Sequence, residues 1–289
     1  MERGQEALVV RGLYTAASGM NVQQNRLDEI ANNLANVDLT GYKKDTAIQK
    51  AFPEMLMRRM NDNGVYVFPI GSVDTMPIVG TVGTGVETNE VYTNFTQGAL
   101  KQTENDFDIA LEGNGFFTVQ TPQGERLTRN GSFLLNSDGY LVTKSGDFVL
   151  GENGPIKLKK NNFTIDEDGN VWQNATFASD DKRLVSQDEN QWENTQKVDR
   201  LRIVDVKRDR YMQKQGNSYW QTTDESGPAQ VIATSRPKVR QGFLEAANVN
   251  AVQEMVEMIE VNRAYDANQK TIQTEDALIG KLWNEVVKV

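Results

Sequence analysis

The side chains of this chain that could do chemistry are its carboxylates. Cysteine and histidine are both absent. That excludes disulfides, thiolate nucleophiles, the usual Cys/His zinc sites and Ser-His-Asp triads. It also removes the one side chain that titrates near neutral pH unaided. The 40 Asp and Glu residues leave one familiar reaction open, glycoside cleavage by a carboxylate pair. No pair stands out by spacing, so an enzyme is not the expectation and no catalytic, cofactor or metal residue is assigned.

Three short segments resemble functional loops and read better as structure. "DEDGN", Asp166 to Asn170, lacks the alternating ligands and distal Glu of a calcium loop and reads as a turn. "GTVGTG", Gly80 to Gly85, has no following Lys-Ser/Thr and opens no helix, so it reads as flexible backbone rather than a phosphate cradle. "EGNGFF", Glu112 to Phe117, is a tight turn entering a buried strand. Trp172, Trp192, Trp220 and Trp283 are dispersed and suit packing.

The net charge of −9 argues against nucleic acid or an anionic membrane as main partner. The densest basic cluster, Lys207, Arg208 and Arg210, contains Asp209 and reads as a solvated loop or strand. No apolar run approaches the roughly 20 residues of a membrane span. The four-residue apolar run within "MERGQEALVVR" is far short of a secretion signal, so export, if any, uses another route.

The elements that must position these residues differ between the ends and the middle. Leu13, Met20, Leu27 and Leu34 recur every seven residues, with Ala16, Ile30 and Val37 three positions after three of them. Gln23 interrupts that second row. This is an a/d seam, closing at Gly41, a natural left-handed stop. Met258, Tyr265, Ile272, Ile279 and Val286 repeat the spacing near the other end. Val261, Leu282 and Val289 follow three residues after Met258, Ile279 and Val286, while Asn268 and Glu275 break that row. "NVN", Asn248 to Asn250, caps this second helix. Outside the seams lie amides such as Asn32, Asn33 and Asn36, mediocre helix formers. Such faces suit helices packed on several neighbours, although a hairpin within one fold stays open.

Between the helices, residues 46–100 are rich in Pro and Gly, with short alternating stretches such as Val65 to Ile70. From about Lys101 to Arg240 the chain reads as β structure. "FFTVQTPQGERLT", "SFLLNSDGYLVT" and "FTIDEDGNVW" are hairpins turning at Pro122 to Gly124, Asn136 to Gly139 and Asp166 to Gly169. "KSGDFVL" adds a strand. The predicted class is α+β: terminal helices paired as a coiled coil, an extended connecting region and an antiparallel β-rich central domain. The parts are a non-helical start at 1–10, helical segments at 11–45 and 241–289, a connection at 46–100 and a β domain at 101–240.

"GLYTAASGMNVQQNRLDEIANNLANVDLTGYKK" resembles the N-terminal signature of flagellar basal-body rod and hook proteins. "VRQGFLEAANVNAVQEMVEMIEVNRAYDANQKTIQTEDALIGKLWNEV" resembles their C-terminal signature. "FTQGALKQTENDFDIALEGNGFFTVQTPQGERLTRNGSFLLNSDGYLVT" is similar to the shared central region of the FlgF and FlgG branch. The resemblance implies a structural subunit of the rod, exported through the flagellar type III apparatus into the periplasm-spanning basal body. Its partners would be other rod subunits and neighbouring axial proteins. Neither nucleic acid nor membrane insertion, and no cofactor, is implied.

Carried over residue by residue, the resemblance makes Leu13, Met20, Leu27, Ile30, Leu34, Met258, Tyr265, Ile272, Ile279 and Leu282 helix-packing residues. Asn33, Asn36, Asn262 and Arg263 would contact neighbouring subunits. The Gly12-Leu13-Tyr14 opening departs from the Ser-Leu-Trp of distal-rod proteins. So does "DTAIQKAFPEMLMRRM", where those carry an acidic-aromatic run. The proximal, FlgF-like type is therefore favoured over the distal, FlgG-like one. The family's usual start falls near Val9 or Val10, which makes Met1 to Leu8 an upstream extension.

Overall fold

The computed structural model describes residues 2–59, 65–68, 71–74, 78–159, 163–174, 195–216, 218–232 and 236–286. Two helices stand at the ends, α1 at Glu2–Ala35 and α2 at Ala251–Val286. The expected non-helical start is helical from Glu2. Between Glu2 and Arg11 the one glycine, Gly4, is the poorest helix former and no proline interrupts the run. Helix α1 also ends before its glycine. Asn36 N–H bonds Asn33 O and Val37 N–H bonds Leu34 O, the tightened bonds of a last turn. The chain then turns until Gly41, at φ 68°. Helix α2 starts directly after Asn250, as its cap predicts.

The chain forms two compact units, which divide it differently from the four predicted parts. The first holds residues 1–32, 46–91 and 252–289. Its non-helical part is paired at three nested levels: Asp45–Ala51 with Val86–Thr93, Met55–Arg58 with Ile78–Val82, and Val65–Phe68 with Gly71–Asp74. The inner registers, Met55 opposite Val82 and Val65 opposite Asp74, make these the arms of one long hairpin. The "GTVGTG" stretch expected as flexible backbone thus begins inside a strand. Ile70, from the predicted Val65 to Ile70 stretch, lies outside the described residues.

The second unit, residues 33–45 and 92–251, is the β part. A nine-stranded antiparallel sheet is centred on Phe116–Thr121, which pairs with Gly124–Thr128, Phe148–Val149 and Ile203–Asp205. The three predicted hairpins all form, as Phe116–Thr121 with Gly124–Thr128, Phe133–Leu135 with Leu141–Thr143, and Phe163–Ile165 with Asn170–Asn174. Asn136, Gly139, Asp166 and Gly169 hold the turns they were assigned. Alternation drives one face of these strands inward, where Ile109, Phe117, Val119, Phe133, Leu141 and Leu201 are almost wholly buried. At about 1.5–3 kcal/mol for each large apolar side chain, that core can carry the order of the unit. Trp220 closes a smaller cluster with Phe116 and Phe95 edge-on to each other at 5.4 Å. Trp192 lies outside the described residues.

The "DEDGN" turn uses its own carboxylate. Asp166 accepts bonds from the Asp168 amide at 2.6 Å, the Asn170 side chain at 3.2 Å and Trp172 Nε1 at 3.4 Å. These bonds, with the Arg200 charge, outweigh desolvation and hold its pKa below the ordinary 3.8. That is the electrostatics of a turn, not of an open cation loop.

Candidate assembly surfaces

In the first unit, heptad spacing carries side chains inward on both helices. On α1, Ala16, Val22 and Ile30 are buried, and Leu13, Met20 and Leu27 half-buried; Leu34, which belongs to the second unit, is half-buried too. On α2, Val261 is buried, Met258, Tyr265 and Ile272 half-buried, and Ile279 exposed. The side chains of Leu282 and Val286 lie outside the described residues. Asn262 and Arg263 are exposed.

The two breaks in the α2 row have a structural counterpart. Asn268 faces Gly19, where a Cβ would lie 2.9 Å from its Nδ2, and Glu275 faces Gly12, where a Cβ would overlap the carboxylate. The two levels lie seven residues apart on each helix and ascend one as they descend the other. Polar side chains therefore occupy the positions where the facing helix has no side chain. A second face of α1 meets the hairpin: Asn25 donates to Thr88 Oγ1 at 3.1 Å, and Ser18 Oγ accepts from the Val86 amide at 3.3 Å. Val22 belongs to this wider face and lies outside the a/d rows that the periodicity picks out.

In the second unit the chain after α1 ends in a buried polar junction. Lys43 Nζ lies 2.6 Å from Glu245 Oε1 and donates to Thr96 O at 2.8 Å. Arg129 Nε lies 2.7 Å from Glu245 Oε2, and its other nitrogens donate to the carbonyls of Gly113 and Gly115. Burial is the largest influence on Lys43 and holds its pKa below the ordinary 10.5, against the raising effect of Glu245; Arg129 adds to the lowering. The Gly113 and Gly115 carbonyls belong to the "EGNGFF" turn, where positive φ at both glycines turns them toward one guanidinium.

The asparagines complete this junction. Asn33, 1% exposed, donates to Asp45 O at 2.9 Å and accepts from Tyr42 Oη at 3.1 Å and the Asp45 amide at 3.0 Å. Expected at a subunit contact, it is turned inward, bridging the two sides of the Gly41 turn. Asn36 is half-buried beside it. Asn248 accepts from the Lys44 amide at 2.7 Å and donates to Asn94 O at 2.8 Å, so it ties three segments together rather than only preceding a helix. Lys43, Arg129 and Glu245 were not singled out by spacing. An acid inside the apolar run "GFLEAANV" was the available signal.

The first unit also leaves apolar side chains in solvent. Met255, Val256 and Ile259 are 47%, 51% and 53% exposed along one side of α2. Leu278 and Trp283 are exposed further on, as are Met55, Leu56, Met57, Ile78 and Val79 on both strands of the hairpin. A two-stranded ribbon with its apolar side chains in water is marginal.

Long amphipathic ends with uncovered apolar faces, and an all-antiparallel β unit closed by a buried charged junction, define a structural assembly protein. Family profiles agree in chain order: Flagella basal body rod protein at residues 13–43, Flagellar hook protein FlgE/F/G D1 domain at 110–173, and Flagellar basal body rod FlgEFG protein C-terminal at 240–284. The flagellar hook-basal body complex protein FlhO of Bacillus subtilis is 32% identical, aligned over 97% of this chain and 100% of its own. The flagellar basal-body rod proteins FlgG of Borreliella burgdorferi and Agrobacterium fabrum are each 33% identical. Their alignments span 94% and 93% of this chain and 97% of each relative. The chain belongs to the flagellar basal-body rod family, whose members are structural proteins rather than enzymes. Among the described residues no helix is long and apolar enough to cross a membrane.

Proposed function

We propose that this protein polymerises through α1 and α2 into the axial drive shaft between motor and hook, after export by the flagellar type III apparatus. The observation that carries the reading is the uncovered apolar surface of the first unit. Exposed Met, Val, Ile and Trp side chains on a long helix and on both arms of a hairpin contribute little in a monomer and much once covered. The a/d spacing of both helices supports their pairing as a coiled coil, with Leu13, Met20, Leu27, Leu34, Met258, Tyr265, Ile272 and Ile279 in the seam. Neighbouring rod subunits and other axial proteins are the partners, and Asn262 and Arg263 are positioned to meet them.

Hydrogen exchange on the soluble chain tests this. Fast exchange in both helices beside a protected 101–240 region supports ends that await partners. Equal protection in a monomer would leave no role for assembly. Leu27→Asp and Ile272→Asp should each abolish polymer formation while the β unit stays folded by near-ultraviolet circular dichroism.

Within the rod, the Gly12-Leu13-Tyr14 opening and the sequence after Lys44 support a proximal, FlgF-like position. The FlgG names of several relatives support the distal alternative. Labelled chain located along isolated basal bodies separates the two, motor side for proximal and hook side for distal.

A further inference from the structure

Met55 and Met57 stand on the hairpin strand Met55–Arg58, 54% and 42% exposed. Side chains two apart on a strand share a face. Met55 lines a cavity of about 170 Å³ and Met57 an adjoining one of about 550 Å³, and Arg11 and Thr15 of α1 line both. Across the ribbon Met57 is opposite Gly80, where a Cβ would meet no heavy atom within 4 Å, and Gly83 is equally open. No side chain on that strand therefore screens the Met57 thioether from a small molecule. Arg11 is exposed, and among the described residues its guanidinium has no hydrogen-bond or ion-pair partner. A group with five donors thus lines the same cavities as two sulfurs that are only weak acceptors.

Cysteine is absent, so thioethers are the only sulfur that an oxidant meets in this chain. A hydroperoxide converts an exposed thioether to the sulfoxide. The sulfur lone pair attacks one peroxide oxygen, an S–O bond forms as the O–O bond breaks, and the sulfur loses two electrons to the peroxide. With hydrogen peroxide, the departing hydroxide takes the proton of the transferred oxygen and leaves as water. The product is polar, and its oxygen is a far stronger acceptor than the sulfur was. We propose that Met55 and Met57 form an oxidation site for hydroperoxides, whose sulfoxide oxygens accept from Arg11 and pin the hairpin strand against α1. Enzymatic reduction of the sulfoxide releases the strand, so the contact is reversible. Among the described residues the other methionines lack this setting. Met255 is 47% exposed but stands on α2 and lines neither cavity, Met20 and Met258 are half-buried, and Met212 is buried in the β unit.

The test treats the full-length protein with dilute hydrogen peroxide and maps the products by mass spectrometry. Met55, Met57 and Met255 should convert several-fold faster than Met212. Hydrogen exchange then reads the contact. After oxidation the amides of Met55–Arg58 and Ile78–Val82 should exchange several-fold more slowly, and methionine sulfoxide reductases should restore the original rate. Arg11→Gln, oxidised to the same extent, should show no slowing, whereas Arg11→Lys should retain part of it. A Met55→Leu/Met57→Leu chain, still oxidised at Met255, should also show none. Met212 converting as fast as Met55 would overturn the site. Slowing that persists in Arg11→Gln would overturn the pairing with Arg11. Exchange unchanged after full conversion of Met55 and Met57 would overturn the proposal as a whole.

Discussion

Lys43 Nζ lies 2.6 Å from Glu245 Oε1, although 202 residues separate them in sequence. Both side chains are 1% exposed, so neither has water to fall back on. The second oxygen of Glu245 holds Arg129 at 2.7 Å, and the Gly98 amide donates to the first at 2.9 Å. One carboxylate therefore serves two buried cations and joins the end of the α1 turn to the strand that leads toward α2.

That imbalance predicts unequal losses. Glu245→Gln strands two buried cations and should destabilise the protein by about 3–5 kcal/mol. Lys43→Met leaves Arg129 and Glu245 as a neutral pair and should cost only about 1–2 kcal/mol. Urea unfolding followed by Trp fluorescence measures both. Equal losses would mean that the triad does not act as one charged unit.

Gly41 combines φ 68° with a site where a Cβ would sit 2.6 Å from Asn130 N and 2.7 Å from the Arg129 carbonyl carbon. Both contacts are backbone and cannot swing away. Gly41→Ala should cost more than about 2 kcal/mol, since left-handed strain and overlap add. The same urea measurement applies, and a loss below that would show that the turn can relax.

Removing the orphaned Glu275 carboxylate, whose Oε2 is buried without a hydrogen-bond partner, should raise stability. Glu275→Leu deletes a buried acceptor without a partner, so thermal unfolding of the monomer should shift up by about 1–3 kcal/mol equivalent. A less stable variant would show that this carboxylate has a favourable partner in the folded chain.

Tyr219 gives the alkaline behaviour its sign. Burial is the main cause raising its pKa above the ordinary 10.0, and the hydrogen bond to Asp147 adds to it. Its hydroxyl lies 2.8 Å from both Thr143 Oγ1 and Asp147 Oδ2. A raised folded pKa means a contribution fully present below pH 10 and lost as pH rises through the folded value. Tyr219→Phe should therefore lose less stability than the wild type above pH 10. Parallel unfolding series on the two proteins, each followed across that range, provide the comparison.

Local signals carried much of the architecture. The hairpin turns were readable because Asn136, Gly139, Asp166 and Gly169 satisfy their own turns within a few residues. Helix α2 was readable from its period and from the asparagine before it. Asn33 was misleading because its three bonds go to Tyr42 and Asp45, and no helical period shows which partner an amide will choose. The polar breaks at Asn268 and Glu275 looked like defects until the facing glycines were known. Residues 46–91 gave only short alternating stretches, and the pairing of Met55 with Val82 depends on a hairpin that closes well beyond either strand.

Residue order alone determined what is periodic or local in this protein: two amphipathic ends, a β-rich middle, the glycine turn after α1, and the absence of Cys/His chemistry. Its motifs carried the family. Tertiary structure decided which residues meet across the chain: Lys43 and Arg129 on Glu245, and Gly12 against Glu275. Periodicity reports which face of an element is apolar. Only the folded chain determines what that face meets and which polar atoms are left without water.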